Sequence, residues 1–315
     1  MIGVGFKITE LLMLVSNSVF RVGLPYLVLL GWSATTYGAS DESDLSFSAI
    51  KTAQSSGTSE AMVVDGGKLF NWRKLSHAAV LVRHPKGDIL WDSGIGIEAQ
   101  AQMDEFGFID SLLFSIENIV PARTQLDANG YDVKDLMAII PSHMHWDHAS
   151  GIEDFLGVPI WVQQKSYDEA IAGQPPGFLQ SQYDHKAIDW QILKMADQAY
   201  KGFPKSFDIY ADGTAVLVDL SGHTEGQLGL FLTTASGQRY FFIGDTAWTL
   251  KGISENKSRP LIENWLLGVD TDIEMNARVL EKIHRLAKQD TNLVIVPAHD
   301  ELQLEKLPLY PAFSR

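Results

Sequence analysis

The sequence contains no cysteine in its 315 residues. This absence excludes disulfides, zinc sites with cysteine ligands, CxxC redox motifs and thiol nucleophiles. Positive charge is also scarce, because 25 Lys and Arg stand against 39 Asp and Glu and give a formal net charge of −14. Such a charge argues against nucleic acid as a partner, since phosphate backbones are held by Lys and Arg. Demanding chemistry is therefore left to His, Asp, Glu, Ser and any metal that they hold.

The N-terminal segment predicts export from the cytoplasm. Lys7 and Arg21 flank a first apolar stretch, residues 22–32 are mostly apolar, and small residues follow. This order is typical of a secretory signal over residues 1–40, which implies a periplasmic protein. The alternative is an uncleaved membrane anchor over residues 11–32, in which an arginine near the bilayer centre costs about 3 kcal/mol.

The rest of the chain divides into two parts. Residues 41–67 are rich in Ser, Thr, Gly and Ala, which predicts a flexible lead-in, and residues 68–315 form the domain that follows. Within that domain, short apolar runs predict strands and an amphipathic pattern predicts a helix over residues 276–288. The predicted strands are 78–82, 89–91, 136–141, 158–162, 215–220, 228–233, 240–243 and 293–296. Two sheets packed face to face with helices outside fit this order, so we expect an α/β architecture.

A cluster of ligand-type residues follows the predicted strand at 136–141. His143, His145, Asp147 and His148 lie within six residues of one another. Imidazole and carboxylate are standard ligands of zinc and similar divalent metals. Alternate residues of an extended segment share a face, so the first two histidines can point the same way. The aspartate and the third histidine then leave at a different angle, which suits a second metal beside the first.

Three further residues repeat this placement. His223, Asp245 and His299 each come just after a predicted apolar strand. Strand ends are where loops usually carry function, so we expect these residues to join the cluster at 143–148. The remaining histidines show no partner pattern and are assigned no role: His77, His84, His185 and His284.

The combined pattern resembles the HxHxDH…H…D…H signature of the metallo-β-lactamase superfamily. The segment Asp92-Ser93-Gly94 resembles that family's early strand end, and residues 222–226 resemble its Gly-His-Thr-x-Gly turn. The resemblance implies a four-layer αβ/βα sandwich with two zinc ions at one edge. It also implies that Asp92 orients a ligand histidine rather than binding a metal itself.

The same resemblance divides the seven candidate ligands between the two ions. It implies a first zinc held by His143, His145 and His223, and a second held by Asp147, His148 and His299, with Asp245 bridging. A hydroxide shared by the two ions would then attack a carbonyl, and Asp147 would carry the proton to the leaving group. The domain at 68–315 is therefore expected to be a metal-dependent hydrolase.

Among such hydrolases the chain is most similar to the quorum-quenching N-acyl-homoserine lactonase branch. The supporting stretches are His84-Pro85-Lys86-Gly87 and Pro297-Ala298-His299-Asp300. One residue departs from the pattern, because Trp248 stands where that branch has a tyrosine that helps to hold the substrate carbonyl. Trp248 is thus a candidate substrate contact that can donate a hydrogen bond but has no ionisable hydroxyl.

Other functions remain open at this point. Hydrolysis of a thioester, an aryl ester or a β-lactam is one alternative, and a non-catalytic metal-binding scaffold is another. A lactonase would take a small molecule with an acyl chain, and the oligomeric state and native metal stay open. Apolar residues in two inserts are candidates for the wall of an acyl pocket, with helix core as their alternative role: Phe106, Phe108, Leu112, Leu113, Phe114, Trp248, Trp265, Leu266 and Leu267.

Overall fold

The structure is a computed structural model that describes residues 44–314. The predicted signal or anchor at residues 1–40 lies outside the described residues, so export stays a prediction. Among the described residues, no helix is long and apolar enough to cross a lipid bilayer.

The described residues form fourteen strands and ten α-helices. In chain order the strands are β1 Ser46–Ser55, β2 Thr58–Ser59, β3 Trp72–Arg73, β4 Ser76–Arg83, β5 Asp88–Trp91, β6 Ile116–Glu117, β7 Leu136–Ile140, β8 Pro159–Gln163, β9 Asp189–Leu193, β10 Ser206–Asp208, β11 Ala215–Asp219, β12 Leu228–Thr233, β13 Arg239–Phe242 and β14 Leu293–Val296. In chain order the helices are α1 Glu60–Val63, α2 Ala99–Gln102, α3 Phe108–Leu113, α4 Ala122–Ala128, α5 Trp146–Ala149, α6 Gln164–Ala172, α7 Leu250–Glu255, α8 Leu261–Leu267, α9 Ile273–Gln289 and α10 Glu301–Leu304. Single 3₁₀ turns occur at Met103–Glu105, Val133–Asp135, Ile152–Phe155 and Gln180–Gln182.

Most of the strands belong to two large sheets. A seven-stranded sheet has the order β6-β1-β4-β5-β7-β8-β9, and a five-stranded sheet has the order β10-β11-β12-β13-β14. Strands β5, β7, β8 and β9 run parallel, as do β13 and β14, whereas the other neighbours are antiparallel. For each strand predicted from an apolar run, both ends agree with an observed strand to within two residues. The predicted helix at 276–288 lies within α9.

The two large sheets pack face to face through an apolar layer. Its buried side chains include Phe47, Val80 and Ile140 from the first sheet and Leu230 and Phe242 from the second. Because successive residues of a strand point to opposite faces, the alternate residues of the same strands meet the helices outside. Helices α4 and α6 cover the first sheet, and α7 and α9 cover the second. The predicted four-layer αβ/βα sandwich is confirmed.

The flexible lead-in predicted for residues 41–67 is wrong, because β1 lies inside the larger sheet. This strand pairs with β4 through eight residue pairs, and its Phe47 and Ile50 are fully buried on opposite faces. Four of the ten residues of β1 are Ser or Thr, and two of them, Ser48 and Thr52, are small enough to be fully buried between neighbouring strands. Thr52 is one example, since its hydroxyl donates to the carbonyl of His77 at 3.0 Å. The folded domain therefore includes β1.

A buried ion network joins the segment after β1 to the C-terminal part of the domain. The carboxylate of Glu60 accepts hydrogen bonds from Lys251 Nζ at 2.7 Å and from the Lys68 backbone at 2.9 Å. Arg73 lies 3.7 Å from Glu60 and donates to Glu301 at 2.7 and 3.0 Å. The hydrogen bonds from Lys251 and Lys68 lower the pKa of Glu60 to about 2, because they favour the charged carboxylate.

We expect Glu60→Gln to lower the free energy of unfolding by about 2 kcal/mol at neutral pH, a typical value for hydrogen bonds to a charged group. The pKa of Glu60 is lower in the folded protein than its ordinary value of 4.5. Its stabilising contribution is therefore present above that value and is lost as the pH falls toward the folded-state pKa. Urea unfolding of both proteins between about pH 7 and about pH 3 measures the difference. The exposed Glu255→Gln serves as control, and a Glu60→Gln effect that does not shrink with falling pH would contradict the assignment.

Candidate metal centre

Four polar side chains that follow β7 of the first sheet lie at one end of the sandwich: His143, His145, Asp147 and His148. Strand β7 is followed by a short segment that leads into α5, where His145 is the N-cap residue with an extended backbone. His143 precedes this cap, whereas Asp147 and His148 lie in the first turn of α5. The change from extended to helical backbone explains why the four side chains enter two separate groups.

The second sheet delivers three more side chains to the same place. His223 follows β11, Asp245 follows β13 and His299 follows β14, and all three are buried. Strands β13 and β14 are parallel neighbours, so their carboxyl ends lie side by side. A backbone hydrogen bond of 3.2 Å from Ala298 to Gly244 links the two segments that carry the aspartate and the last histidine.

One group consists of His143, His145 and His223. The Nδ1 of His145 and the Nε2 of His223 are 3.0 Å apart, and one ligand atom from each of the three lies within 4.8 Å of the others. The Nε2 of His143 is buried and has no hydrogen-bond partner among the described residues. Three ring nitrogens thus face one another at a spacing that fits three ligands of one cation.

The other group consists of Asp147, His148 and His299. The Nε2 of His299 lies 3.3 Å from Oδ2 of Asp147, and the Nε2 of His148 lies 3.8 Å from the same oxygen. The two ring nitrogens are 3.4 Å from each other. This group therefore offers one carboxylate oxygen and two imidazole nitrogens to a common point.

Asp245 lies between the two groups. Its Oδ1 is 3.4 Å from Nε2 of His148, and its Oδ2 is 3.1 Å from Nε2 of His299 and 3.7 Å from Nε2 of His223. A single carboxylate thus contacts histidines of both groups, as a bridging ligand must. The structure brings all seven predicted ligands together, and their assignment to individual ions stays a prediction.

Asp92 contacts one of the predicted ligands from outside the centre. Its Oδ2 lies 3.0 Å from Nδ1 of His148, and its Oδ1 accepts a hydrogen bond of 2.6 Å from the backbone of Ser142. Asp92 has a left-handed backbone with φ of 57°, so the strand end is turned sharply at this position. The contact engages Nδ1 of His148 and leaves Nε2 facing the other ligands.

Two other histidines are supported in the same way. The Oδ1 of Asp270 lies 3.0 Å from Nδ1 of His223, and the carbonyl of Ser76 lies 2.8 Å from Nδ1 of His299. Arg259 forms a buried ion pair with Asp270. In both rings Nε2 is the atom left to face the centre.

A family model of the metallo-beta-lactamase superfamily matches residues 72–299, which include all seven predicted ligands. The chain belongs to the metallo-β-lactamase superfamily. It is therefore a metal-dependent hydrolase with that superfamily's fold.

Relatives within the superfamily include N-acyl homoserine lactonases. The lactonase AttM of Azorhizobium caulinodans is 26% identical over 228 residues, which span 70% of this chain and 80% of the relative. The lactonase AiiA of Bacillus thuringiensis subsp. kurstaki is 23% identical over 254 residues, which span 78% of this chain and 89% of the relative.

Solved structures of such proteins share the fold. An N-acyl homoserine lactone hydrolase with N-hexanoyl-L-homoserine at its catalytic metal centre superposes with a TM-score of 0.65 at 19% identity, covering 85% of this chain and 98% of that chain. The dizinc quorum-quenching lactonase AidC superposes with a TM-score of 0.57 at 14% identity, covering 86% of this chain and 90% of that chain.

His77, to which the sequence assigned no role, lies in the site of this superfamily member. Its Nδ1 is 3.1 Å from Oδ2 of Asp147, and its ring meets the ring of His299 edge to face at a centroid distance of 5.1 Å. The three residues also form a compact group of possible metal ligands. The sequence signal is a histidine within the apolar strand β4, which is equally typical of an ordinary core histidine. Asp270 and Arg259 carried no signal, because neither belongs to a local motif.

The donor set fits a divalent cation. Metals bind the neutral form of imidazole. Burial lowers the pKa of His145 to about 3 and lowers the pKa of His143 well below its ordinary value, and the neighbouring histidine rings add to both shifts. Both rings are therefore neutral at physiological pH. Such a buried assembly of nitrogen and carboxylate donors has the chemistry that zinc and similar metals require.

Trp248 lines a cavity of about 360 Å³ that opens onto the metal centre. Its indole Nε1 donates a hydrogen bond of 2.8 Å to Oδ2 of Asp245, and its ring lies 6.2 Å from that of His299. The predicted substrate contact is thus part of the cavity wall, but its one N–H is directed at the carboxylate that lies between the two ligand groups.

The predicted apolar wall divides into residues that line the cavity and residues that do not. Leu113, Phe114, Trp248 and Leu267 line it. Phe106 packs in a separate core cluster. The other predicted residues Phe108, Leu112 and Trp265 are exposed, and the side chain of Leu266 lies outside the described set.

We expect Asp92→Ala to weaken zinc binding by about 10–100-fold, because His148 loses the carboxylate that orients its ring. Equilibrium dialysis against a competing chelator, followed by metal analysis, measures this affinity. Asp197→Ala is the matched control, since its carboxylate is 92% exposed and only approaches Lys205 at 4.0 Å. A folded Asp92→Ala protein with the affinity of the wild type would show that this contact does not orient a ligand.

Proposed function

We propose that this chain is a binuclear zinc lactonase that opens the ring of N-acyl-homoserine lactones. The observation that carries the proposal is the position of Asp245, whose single carboxylate contacts two separate groups of ligand-type residues. This arrangement supports two metal ions rather than one. The relatives named as N-acyl homoserine lactonases support the substrate class.

Seven residues would hold the two ions. One group would supply three ligands, the other group three, and one carboxylate would be shared: His143, His145 and His223; Asp147, His148 and His299; and Asp245. When bound, two zinc ions supply a polarised lactone carbonyl and a water of lowered pKa.

Asp147 is the residue that moves the proton. Burial opposes its charge, but the neighbouring histidines His148, His77 and His299 outweigh that effect and lower its pKa, and Nδ1 of His77 lies 3.1 Å from its Oδ2. It is therefore a carboxylate at neutral pH. In this state it accepts a proton from the attacking water and passes it to the ring oxygen as the C–O bond of the lactone breaks. One water is consumed, and the product carries one carboxylic acid and one alcohol.

The cavity provides a place for an acyl chain. Met62, Leu113, Phe114 and Leu267 line it together with Trp248. Removing an aliphatic chain from water into such a lining is favourable by about 0.8 kcal/mol for each buried CH₂ group. The apolar lining therefore supports a substrate with an acyl chain attached to the ring that reacts.

We also propose that residues 1–40 export the protein. The support is the order of basic, apolar and small residues in that segment. N-terminal sequencing of the protein recovered from the periplasm tests this, and a start near residue 41 would support cleavage. Recovery of the full-length chain from the membrane fraction would favour the anchor instead.

We expect the zinc-loaded protein to hydrolyse a long-chain N-acyl-homoserine lactone with kcat/KM on the order of 10⁴ M⁻¹s⁻¹ or above, within the usual enzymatic range. Asp147→Asn should lower this value by about 10²–10⁴-fold, because the amide cannot carry the proton. Proton release on ring opening measures both rates.

The exposed Asp184→Asn is the matched control and should keep the activity of the wild type. The metal content of each protein is measured in parallel, so that loss of the proton carrier is separated from loss of zinc. Absence of turnover by the zinc-loaded wild type would contradict the lactonase proposal and leave thioesters, aryl esters and β-lactams to be assayed.

A further inference from the structure

Glu263 is a buried carboxyl group that lines the cavity and has no role in the chemistry above. It lies on α8 and is 5% exposed. Its Oε2 is buried and has no hydrogen-bond partner among the described residues. A buried polar atom without a partner destabilises the folded protein, so a ligand that supplies the missing partner would bind favourably here.

The charged residues that act on Glu263 electrostatically are Arg259 and Asp270, and both also contact other residues. Arg259 donates to the carbonyl of Asp245 at 2.7 Å and forms an ion pair with Asp270. The side chain of Asn264 donates to the same Asp270 at 3.1 Å. The ion pair with Asp270 therefore already balances the charge of the arginine, and Asn264 helps to hold the aspartate that supports His223.

Two other polar side chains of the cavity wall, Gln174 and Thr271, already have partners in the protein. Gln174 donates to the carbonyl of Gly173, and Thr271 donates to Glu169, both at 2.8 Å. Glu263, which also lines the cavity, differs from these two residues because its buried Oε2 has no hydrogen-bond partner among the described residues.

The carboxyl group is uncharged for much of the time at neutral pH. Burial raises the pKa of Glu263 to about 8, with Asp270 adding to the shift and Arg259 opposing it. A neutral carboxylic acid suits a neutral polar partner better than a cation, because it supplies no full charge. Its carbonyl oxygen can accept one hydrogen bond and its hydroxyl can donate another.

Glu263 lies along the chain between a residue that contacts the metal centre and a residue of the apolar cavity wall. Arg259, just before the helix, contacts Asp245 at the metal centre, and Leu267, four residues after Glu263, lines the apolar part. Residues four apart share a helix face and are separated by about 6 Å along its axis. Glu263 and Leu267 thus share the face of α8 that borders the cavity. Arg259, which contacts Asp245, lies at the start of the same segment.

We propose that Glu263 binds the amide of the substrate and makes the enzyme selective for lactones that carry an acylamino group. In an acylated homoserine lactone the amide joins the reacting ring to the acyl chain, and its N–H would be accepted by the carboxyl oxygen of Glu263. A lactone without that N–H leaves the buried oxygen unpaired, which is how a polar site rejects an analogue. This inference rests on the proposed lactonase function and adds to it a specificity-determining residue.

The test compares two substrates that differ in one group. One is a long-chain N-acyl-homoserine lactone, and the other is its ketone analogue, in which a CH₂ replaces the amide N–H. We expect the zinc-loaded wild type to prefer the amide by about tenfold or more in kcat/KM, the effect of one hydrogen bond to a buried group. Because both substrates are measured on the same preparation, their ratio does not depend on the amount of active enzyme.

Glu263→Met keeps a similar volume and removes the acceptor, so its ratio should fall to about one. Glu263→Gln keeps an acceptor oxygen and should retain most of the preference. The exposed Glu255→Met is the control for the substitution itself and should leave the ratio unchanged. Thermal unfolding and zinc content are measured for every variant.

A wild-type ratio near one would overturn the assignment, and so would a folded, zinc-loaded Glu263→Met protein with an unchanged ratio. If Glu263→Met does not fold, the wild-type ratio decides by itself. Hydrolysis of both lactones at equal rates would leave the lactonase function standing without this specificity. Hydrolysis of neither would overturn the lactonase function and the role of Glu263 with it.

Discussion

The metal centre depends on the face-to-face packing of the two sheets, because neither sheet carries a complete set of ligands. The first sheet supplies the segment from His143 to His148, and the second supplies His223, Asp245 and His299. The apolar layer between the sheets holds these segments at one edge, and each large buried side chain contributes about 1.5–3 kcal/mol. The hydrophobic effect is not directional, so it does not select particular polar groups. The polar groups that meet at the edge of the apolar layer are those that follow the ends of the strands.

Polar groups collected at such an edge must be paired, since an unpaired buried group is costly. In this structure, residues that surround the metal centre pair with the histidines that line it. Asp92, Asp270 and the backbone of Ser76 each contact one ring nitrogen of a histidine, and the second nitrogen of each ring faces the other ligands. The outer contacts thus orient the rings before a cation completes the inner side.

Two polar groups of the cavity wall lie outside the set of seven candidate ligands. Trp248 stands where the resemblance implies a tyrosine, and it directs its N–H at Asp245, which lies between the two groups of ligand-type residues. The unpartnered carboxyl of Glu263 lies in the wall of the same cavity.

The sequence by itself determined the features that depend on neighbours in the chain. Apolar runs marked the strands, and ligand-type residues just after them marked the end of the sandwich at which they meet, because parallel strands end at a common edge. Local composition failed for β1, where small Ser and Thr are buried by the strands on either side.

Only the tertiary structure decided what depends on contacts between distant segments. His77 on β4 contacts Asp147 on α5, Asp270 contacts His223 from beyond α8, and Glu263 is buried against a cavity that no local pattern describes. The physical reason is that charge pairing and burial are set by groups that are near in space. A sequence records which groups are near in the chain, and the packing of the two sheets decides which of them meet.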